Sequence, residues 1–196
     1  MNQATDLEKL ISNEIIQDCF PKISDPTSLA LSGTLTVEYP HPNTTVQQGN
    51  KLSPKVTQDA PKVTYKANTA APLNLEKTYT LVMTDPDAPS RSDHKWSEYC
   101  HHVETGVKFN DPQGGLISNG HEVIKHMGPG PPKNTGDHRY IWMLFEEVEK
   151  NQTFSPINDR INWGYNTPAT GIERWATENN LKLLAMNFFF AENDEN

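Results

Sequence analysis

The chain has 196 residues, a formal net charge of −8, 15 prolines and two cysteines. That length is enough for one domain with a substantial core, and an acidic chain without a basic stripe excludes a nucleic-acid footprint. No apolar run reaches membrane-spanning length, and the first residues lack a leader pattern. With so few cysteines, the expectation is a reduced cytoplasmic protein built mainly of β-structure and proline-stiffened loops.

In chain order, Thr5-Asp6-Leu7-Glu8 has the form of a capping box. Leu7, Leu10, Ile11 and Ile15 follow at helical spacing, which predicts a helix over 6–18 stopped by Cys19-Phe20-Pro21. From Gly33 to Tyr39 the residues Leu35, Val37 and Tyr39 alternate with polar ones, as in a half-buried strand. His41 to Lys55 reads as loop, Val63 and Tyr65 mark a short strand, and 67–75 is loop again. Tyr79 to Thr84 alternates as a strand and breaks at Asp85-Pro86-Asp87-Ala88-Pro89-Ser90, where two prolines remove ladder donors and stiffen the chain. Tyr99, His101 and Val103 then alternate on one predicted strand face, which would bury a polar ring.

Downstream, 109–119 contains Asp-Pro and Gly-Gly and is expected to turn, and Glu122 to Met127 leads as a strand into Gly128-Pro129-Gly130-Pro131-Pro132. A strand runs from Tyr140 to Val148, buried near Ile141–Phe145, and 150–166 is irregular. Thr170-Gly171-Ile172-Glu173 offers a second capping box for a helix bearing Ile172, Trp175 and Ala176. Lys182 to Phe190 is nearly all apolar, as in a strand covered on both faces. No internal repeat or linker divides the chain, so residues 1–196 are expected to form a single domain, with 1–20 a segment and helix able to meet a partner.

Three chemistries can be weighed for the central motifs. Asp85 and Asp87 would share a face if extended, and with His101 and His138 they could supply four metal ligands, although Asp-x-Asp alone is a weak signal. For hydrolysis, the Gly-x-Ser-x-Gly elbow is missing. Cys100 and His101 are strand neighbours facing opposite ways, while Cys100 and His102 share a face at roughly 6–7 Å, too far for a nucleophile and base. The third chemistry is an anion pocket in which His101, His138 and the Gly130 backbone supply donors and Trp96 and Tyr140 form walls. Two exposed carboxylates would repel a phosphate, so at least one of Asp85 and Asp87 is expected to be tied to Arg139, Arg91 or backbone donors. Asp87 could equally serve mainly to lock its loop. His94, His102, His121 and His126 are expected to be solvated or locally bonded, and Arg139 to make an internal ion pair.

Tyr79 to Ser90 followed by His101, and Gly128 to Pro132 followed by Gly136 to Trp142, resemble the two signature motifs of the phosphatidylethanolamine-binding protein family. The resemblance implies a mainly β fold of two antiparallel sheets with peripheral N- and C-terminal helices. It implies a ligand pocket at Asp85, Asp87, Trp96, His101, Gly130, Pro131, Pro132, His138 and Tyr140, with Trp96 standing where mammalian relatives have Tyr. The expected ligand is a phosphate-bearing headgroup or phospholipid, with no cofactor, no metal and no catalysis.

Met1-Asn2-Gln3-Ala4, residues 93–98 and 162–171 resemble the fungal branch, which includes an inhibitor of a vacuolar serine carboxypeptidase, carboxypeptidase Y. That resemblance implies a serine carboxypeptidase as partner, an N-terminal segment (Met1, Asn2, Gln3, Ala4) that enters its active site, and a vacuolar as well as a cytoplasmic location. The alternative partner is a kinase or a Ras-pathway regulator.

Overall fold

The computed structural model describes residues 3–195, and side chains from Asp6 onward. Its elements run α1 (Gln3–Ser12), α2 (Ile15–Cys19), β1 (Gly33–Glu38), β2 (Asn50–Lys51), β3 (Lys62–Ala67), β4 (Thr78–Asp85) and β5 (Tyr99–Val107). They continue with β6 (Gly114–Ile117), β7 (His121–Ile124), β8 (His138–Glu147), α3 (Ile172–Glu178) and β9 (Leu181–Ala191). A three-stranded sheet has the order β1-β3-β6 and a six-stranded sheet the order β2-β9-β8-β4-β5-β7. Neighbours pair antiparallel except the short β2, which lies parallel to β9, a departure from two purely antiparallel sheets.

The large sheet is covered on both faces, which is why β4, β8 and β9 are so apolar. On one side Tyr79, Leu81, Met83, Tyr140, Trp142 and Leu144 pack against Leu35, Val37 and Tyr65 of the small sheet. On the other side Val82, Ile141, Met143 and Phe145 pack beneath the helices, against Leu10, Ile15, Ile16, Trp163 and Trp175. Period-2 alternation therefore sorts each central strand between two cores rather than between core and water.

Some local expectations fail for identifiable reasons. The N-terminal helix is two helices: Glu14 takes a left-handed conformation (φ 58°) and breaks the run, with its N–H bonded back to the Ile11 carbonyl. Helix α1 already includes Gln3, so Thr5 lies inside it and is not its cap. The turn expected at 109–119 contains strand β6, which the two glycines do not prevent because it is a short edge strand.

The second capping box also fails. Gly171, not Thr170, precedes α3, and Glu173 reaches away to accept the Lys22 N–H at 2.9 Å. The free N–H of Ile172 is taken at 3.1 Å by the buried side chain of Glu98, 74 residues earlier. A side chain at Gly171 would meet Glu98 at 2.7 Å, so glycine is needed for this approach. Glu98 thus does from a distance what a local cap does elsewhere.

Desolvation of Glu98, opposed by its hydrogen bonds to Thr84 and Ile172, pushes its carboxyl up to about 8. The surroundings suit the protonated form. Thr84 Oγ1 lies 3.0 Å from Glu98 Oε2 and 3.3 Å from the Tyr99 carbonyl oxygen, and accepts the Trp163 indole N–H at 3.0 Å. A protonated Glu98 donates to Thr84, which donates onward to Tyr99, and every group is satisfied.

Because the folded state holds this proton and the unfolded chain releases it near 4.5, stability should fall as pH rises toward about 8, with a limiting slope of about 1.4 kcal/mol per pH unit. Glu98→Gln keeps both hydrogen bonds without a titrating group. Urea midpoints measured from pH 5 to pH 9 should decline for the native chain and be markedly flatter for the variant.

Candidate functional site

The ends of β4, β5 and β8 and the loops that follow or precede them enclose a cavity of about 180 Å³. Asp85, Trp96, His101, Gly130, Pro132, His138 and Tyr140 all line it, so the two separated motifs meet. Asp87 and Pro131 do not: Asp87 is fully buried elsewhere, and the Pro131 carbonyl accepts from Asn193 Nδ2 at 2.9 Å. Ala88, Pro89, Tyr99, Met127 and Gly128 complete the lining. Ala88, Pro89 and Gly128 lie within the two motifs without having been named as site residues, while Tyr99 and Met127 adjoin named residues or motifs and gave no chemical signal. Trp96 and Met127 are 40% and 42% exposed and give the mouth an apolar rim.

His101 reaches the cavity through a strand irregularity. Met83 pairs with His102, but the next residue, Thr84, pairs with Cys100, so His101 is the extra residue of a β-bulge. The bulge resets the alternation. Cys100 and Val103 both join the helix-side core, while His101 lies 5.2 Å from the Tyr140 ring and His102 lies 5.9 Å from Trp142 on the opposite side. His101 therefore does not share a face with Val103, nor Cys100 with His102, as unbroken alternation would require. His102 is also buried rather than solvated, with Nδ1 3.1 Å from the Ile124 carbonyl oxygen. Cys100 is an inert buried thiol whose pKa burial pushes up.

Asp85 and Asp87 are parted by the turn at Pro86. Asp85 remains on the cavity side, where Oδ1 accepts the Asp87 N–H at 2.7 Å and Oδ2 lies 2.9 Å from His138 Nδ1. Asp87 points through the sheet to Arg139. Its Oδ2 accepts both the backbone N–H and Nε–H of Arg139 at 2.8 Å, and its Oδ1 accepts from Nη2 at 2.7 Å. Arg139 is itself fully buried and extends to the helices, donating from Nη1 to the Asn13 carbonyl at 2.8 Å and from Nη2 to Asp18 at 2.6 Å. Consecutive residues of β8 thus serve opposite faces: His138 the cavity, Arg139 the helix corner.

The hydrogen bonds settle the protons. The Thr135 hydroxyl donates to the Pro132 carbonyl at 2.8 Å and lies 2.9 Å from His138 Nε2. Its one hydrogen is committed, so the imidazole supplies the other, and both nitrogens of His138 face acceptors. Burial works against the charge, but the Asp85 hydrogen bond and the nearby carboxylates outweigh it and raise the His138 pKa above 6.5. The buried pair with Asp85 therefore favours a proton on both nitrogens of His138.

His101 is the opposite case. Its Nδ1 donates to the Met127 carbonyl at 2.8 Å, and burial, only partly offset by Asp85, lowers its pKa below 6.5. Its neutral form leaves Nε2 as an acceptor. An imidazole N–H for an anion is available at His101 only after protonation, and at His138 only by displacing Thr135 or Asp85. Among the described residues, no group of three His, Cys, Asp or Glu is placed to hold a metal ion. No described helix is long and apolar enough to cross a membrane.

The family model for phosphatidylethanolamine-binding proteins matches residues 42–189. The chain is 39% identical to the carboxypeptidase Y inhibitor of Saccharomyces cerevisiae, across 98% of this chain and 99% of that protein. It is 36% identical to an uncharacterized protein of the same yeast, across 94% and 92% of the two chains. Among solved structures, a carboxypeptidase Y inhibitor complexed with its cognate proteinase superposes with a TM-score of 0.87 at 40% identity, over 99% of this chain and all of that one. A phosphatidylethanolamine-binding protein from Plasmodium vivax shares the fold, with a TM-score of 0.77 at 23% identity over 96% of this chain and 97% of that one. The similarity runs to an inhibitor rather than to an enzyme. The chain belongs to the phosphatidylethanolamine-binding protein family.

Proposed function

We propose that this protein inhibits a serine carboxypeptidase of the carboxypeptidase Y type by placing its N-terminal segment in the protease active site. We further propose that its cavity binds a phosphate-bearing headgroup. The observation that carries the first reading is the near full-length likeness to an inhibitor solved with its proteinase, at 40% identity and a TM-score of 0.87. The contact residues of this reading are Met1, Asn2, Gln3 and Ala4. Met1 and Asn2 lie outside the described residues, and Gln3 and Ala4 open α1.

The physical support lies in how that segment is mounted. Leu10, Ile15 and Ile16 are fully buried, and the α1–α2 corner is bonded to Arg139, so Gln3 and Ala4 open a helix with an anchored base. An anchored base limits the entropy lost when a short segment is captured. Acetylation of residue 1 would remove the positive charge that would otherwise oppose entry into an apolar cleft.

The headgroup reading rests on the cavity. His101 Nε2, the Asp85–His138 pair and the opening at Gly130 form its polar floor, while Trp96 and Met127 suit the apolar part of an ester at the mouth. Since His101 is neutral in the empty site, a phosphate enters either as the monoanion, donating its P–OH to Nε2, or with a proton taken up by the ring. Inorganic sulfate has no such hydroxyl and depends on the ring alone.

Titration of purified carboxypeptidase Y with the full chain should abolish peptidase activity, and a chain lacking residues 1–7 should not. Inhibition undiminished by the deletion rules out the N-terminal mechanism. Activity unaffected by the full chain rules out the inhibitor reading and leaves the cavity as the functional element. For the cavity, calorimetry should show sulfate binding tighten as pH falls below 6.5 with proton uptake, and His101→Phe should weaken phosphate binding about tenfold or more. Unchanged affinity in the variant counts against the assignment of the site.

A further inference from the structure

A run of hydrogen bonds, joined through the covalent frame of Asp87, crosses the large sheet. It starts in the cavity at His138, passes through Asp85 to the backbone and carboxylate of Asp87, then to Arg139, and ends on the Asn13 carbonyl and Asp18. The Asn13 carbonyl lies just past the end of α1, where a helix leaves acceptors unpaired and a cation is most favourable. The same cavity loop is tied to the corner a second time by an ion pair between Arg91 and Glu14, the residue in the left-handed conformation that breaks the helix. The loop carrying Ala88 and Pro89 into the cavity wall is therefore also the clasp of the N-terminal helices.

The two helices are short, of 10 and 5 residues, and neither is long enough to persist alone in water. Their docking depends on the buried stripe of Leu10, Ile15 and Ile16 and on this clasp. The corner can open only if Arg139 releases Asn13 and Asp18, which leaves a buried guanidinium short of partners unless Asp87 moves with it. A ligand that fixes Asp85 and His138 removes that freedom from Asp87.

We propose that filling the cavity with a phosphate tightens the docking of α1 and α2 through the Asp85–Asp87–Arg139 bridge, so that cavity occupancy regulates how firmly the N-terminal segment is presented. This rests on the reading of the cavity as an anion site. By thermodynamic reciprocity, loosening the corner weakens phosphate binding by the same factor that phosphate tightens the corner.

Amide hydrogen exchange on the full chain, with and without saturating inorganic phosphate, tests the proposal. Amides of residues 8–20 should slow by about fivefold or more, beyond any slowing of β9, which would report only global stability. In Asp18→Asn, which removes the charge from one half-exposed arm and leaves the Asp87–Arg139 pair in place, phosphate should still bind, with less than half of that slowing. The Asp87→Asn variant should show none, and Asp18→Asn remains decisive if that variant fails to fold. Phosphate that binds by calorimetry without slowing residues 8–20 overturns the coupling. Equal slowing in Asp18→Asn overturns the route. Absence of any phosphate binding overturns the anion-site reading and the inference with it.

Discussion

The buried pair of Asp87 and Arg139 is the constraint on which the rest of the architecture turns. Both side chains are fully withdrawn from water, so neither charge is tolerable without the other. Three hydrogen bonds from one arginine to one carboxylate, one of them from the backbone, fix the guanidinium plane as well as its position. Removing either partner leaves an uncompensated interior charge, a loss of roughly 3–5 kcal/mol in comparable buried pairs. The arrangement explains why a loop of two prolines and two aspartates needs both carboxylates: one shapes the cavity and the other anchors the loop to the far side of the sheet.

The cavity makes sense in the same terms. Its two histidines are pushed in opposite directions, because Asp85 outweighs burial at His138 while burial prevails at His101. Charge gained by the His138 ring is matched by Asp85 and adds little net charge, while a neutral His101 offers a lone pair. An acidic protein can hold an anion in such a place only by local hydrogen bonding, coupled to a proton, rather than by a broad positive field. That favours a small phosphate ester over an extended polyanion.

Much of the fold was legible in the sequence because the strands obey period 2: β1, β3, β4 and β8 fall where Leu35, Val63, Leu81 and Ile141 place them. The site was legible as two stiff motifs, and both imidazoles do line one cavity. What failed depended on geometry that composition does not carry. Nothing in Cys100-His101-His102 announces a bulge, since its register is set by pairing with β4. The separation of Asp85 from Asp87 follows from a turn whose direction only the partner Arg139 explains. Both capping boxes matched a pattern of residue types, yet α3 begins at Ile172, whose N–H is taken by a carboxylate 74 residues away, and the Thr170 N–H goes to the Ser97 carbonyl. Glu14, an ordinary helix former, sits in a left-handed corner because the chain must turn to lay both helices on one sheet face.

The position of β9 has a consequence for synthesis. It lies between β2 and β8, pairing with residues 50–51 on one side and 138–147 on the other. A ribosome delivers the chain from its N-terminus, so β2 has no sheet to join, and β8 lacks a partner along one edge, until residues up to 191 have emerged. In that interval Tyr140, Trp142 and Leu144 form an open, strongly apolar border of the kind that chaperones shield and that seeds aggregates when they do not. The large sheet closes only when β9 joins it.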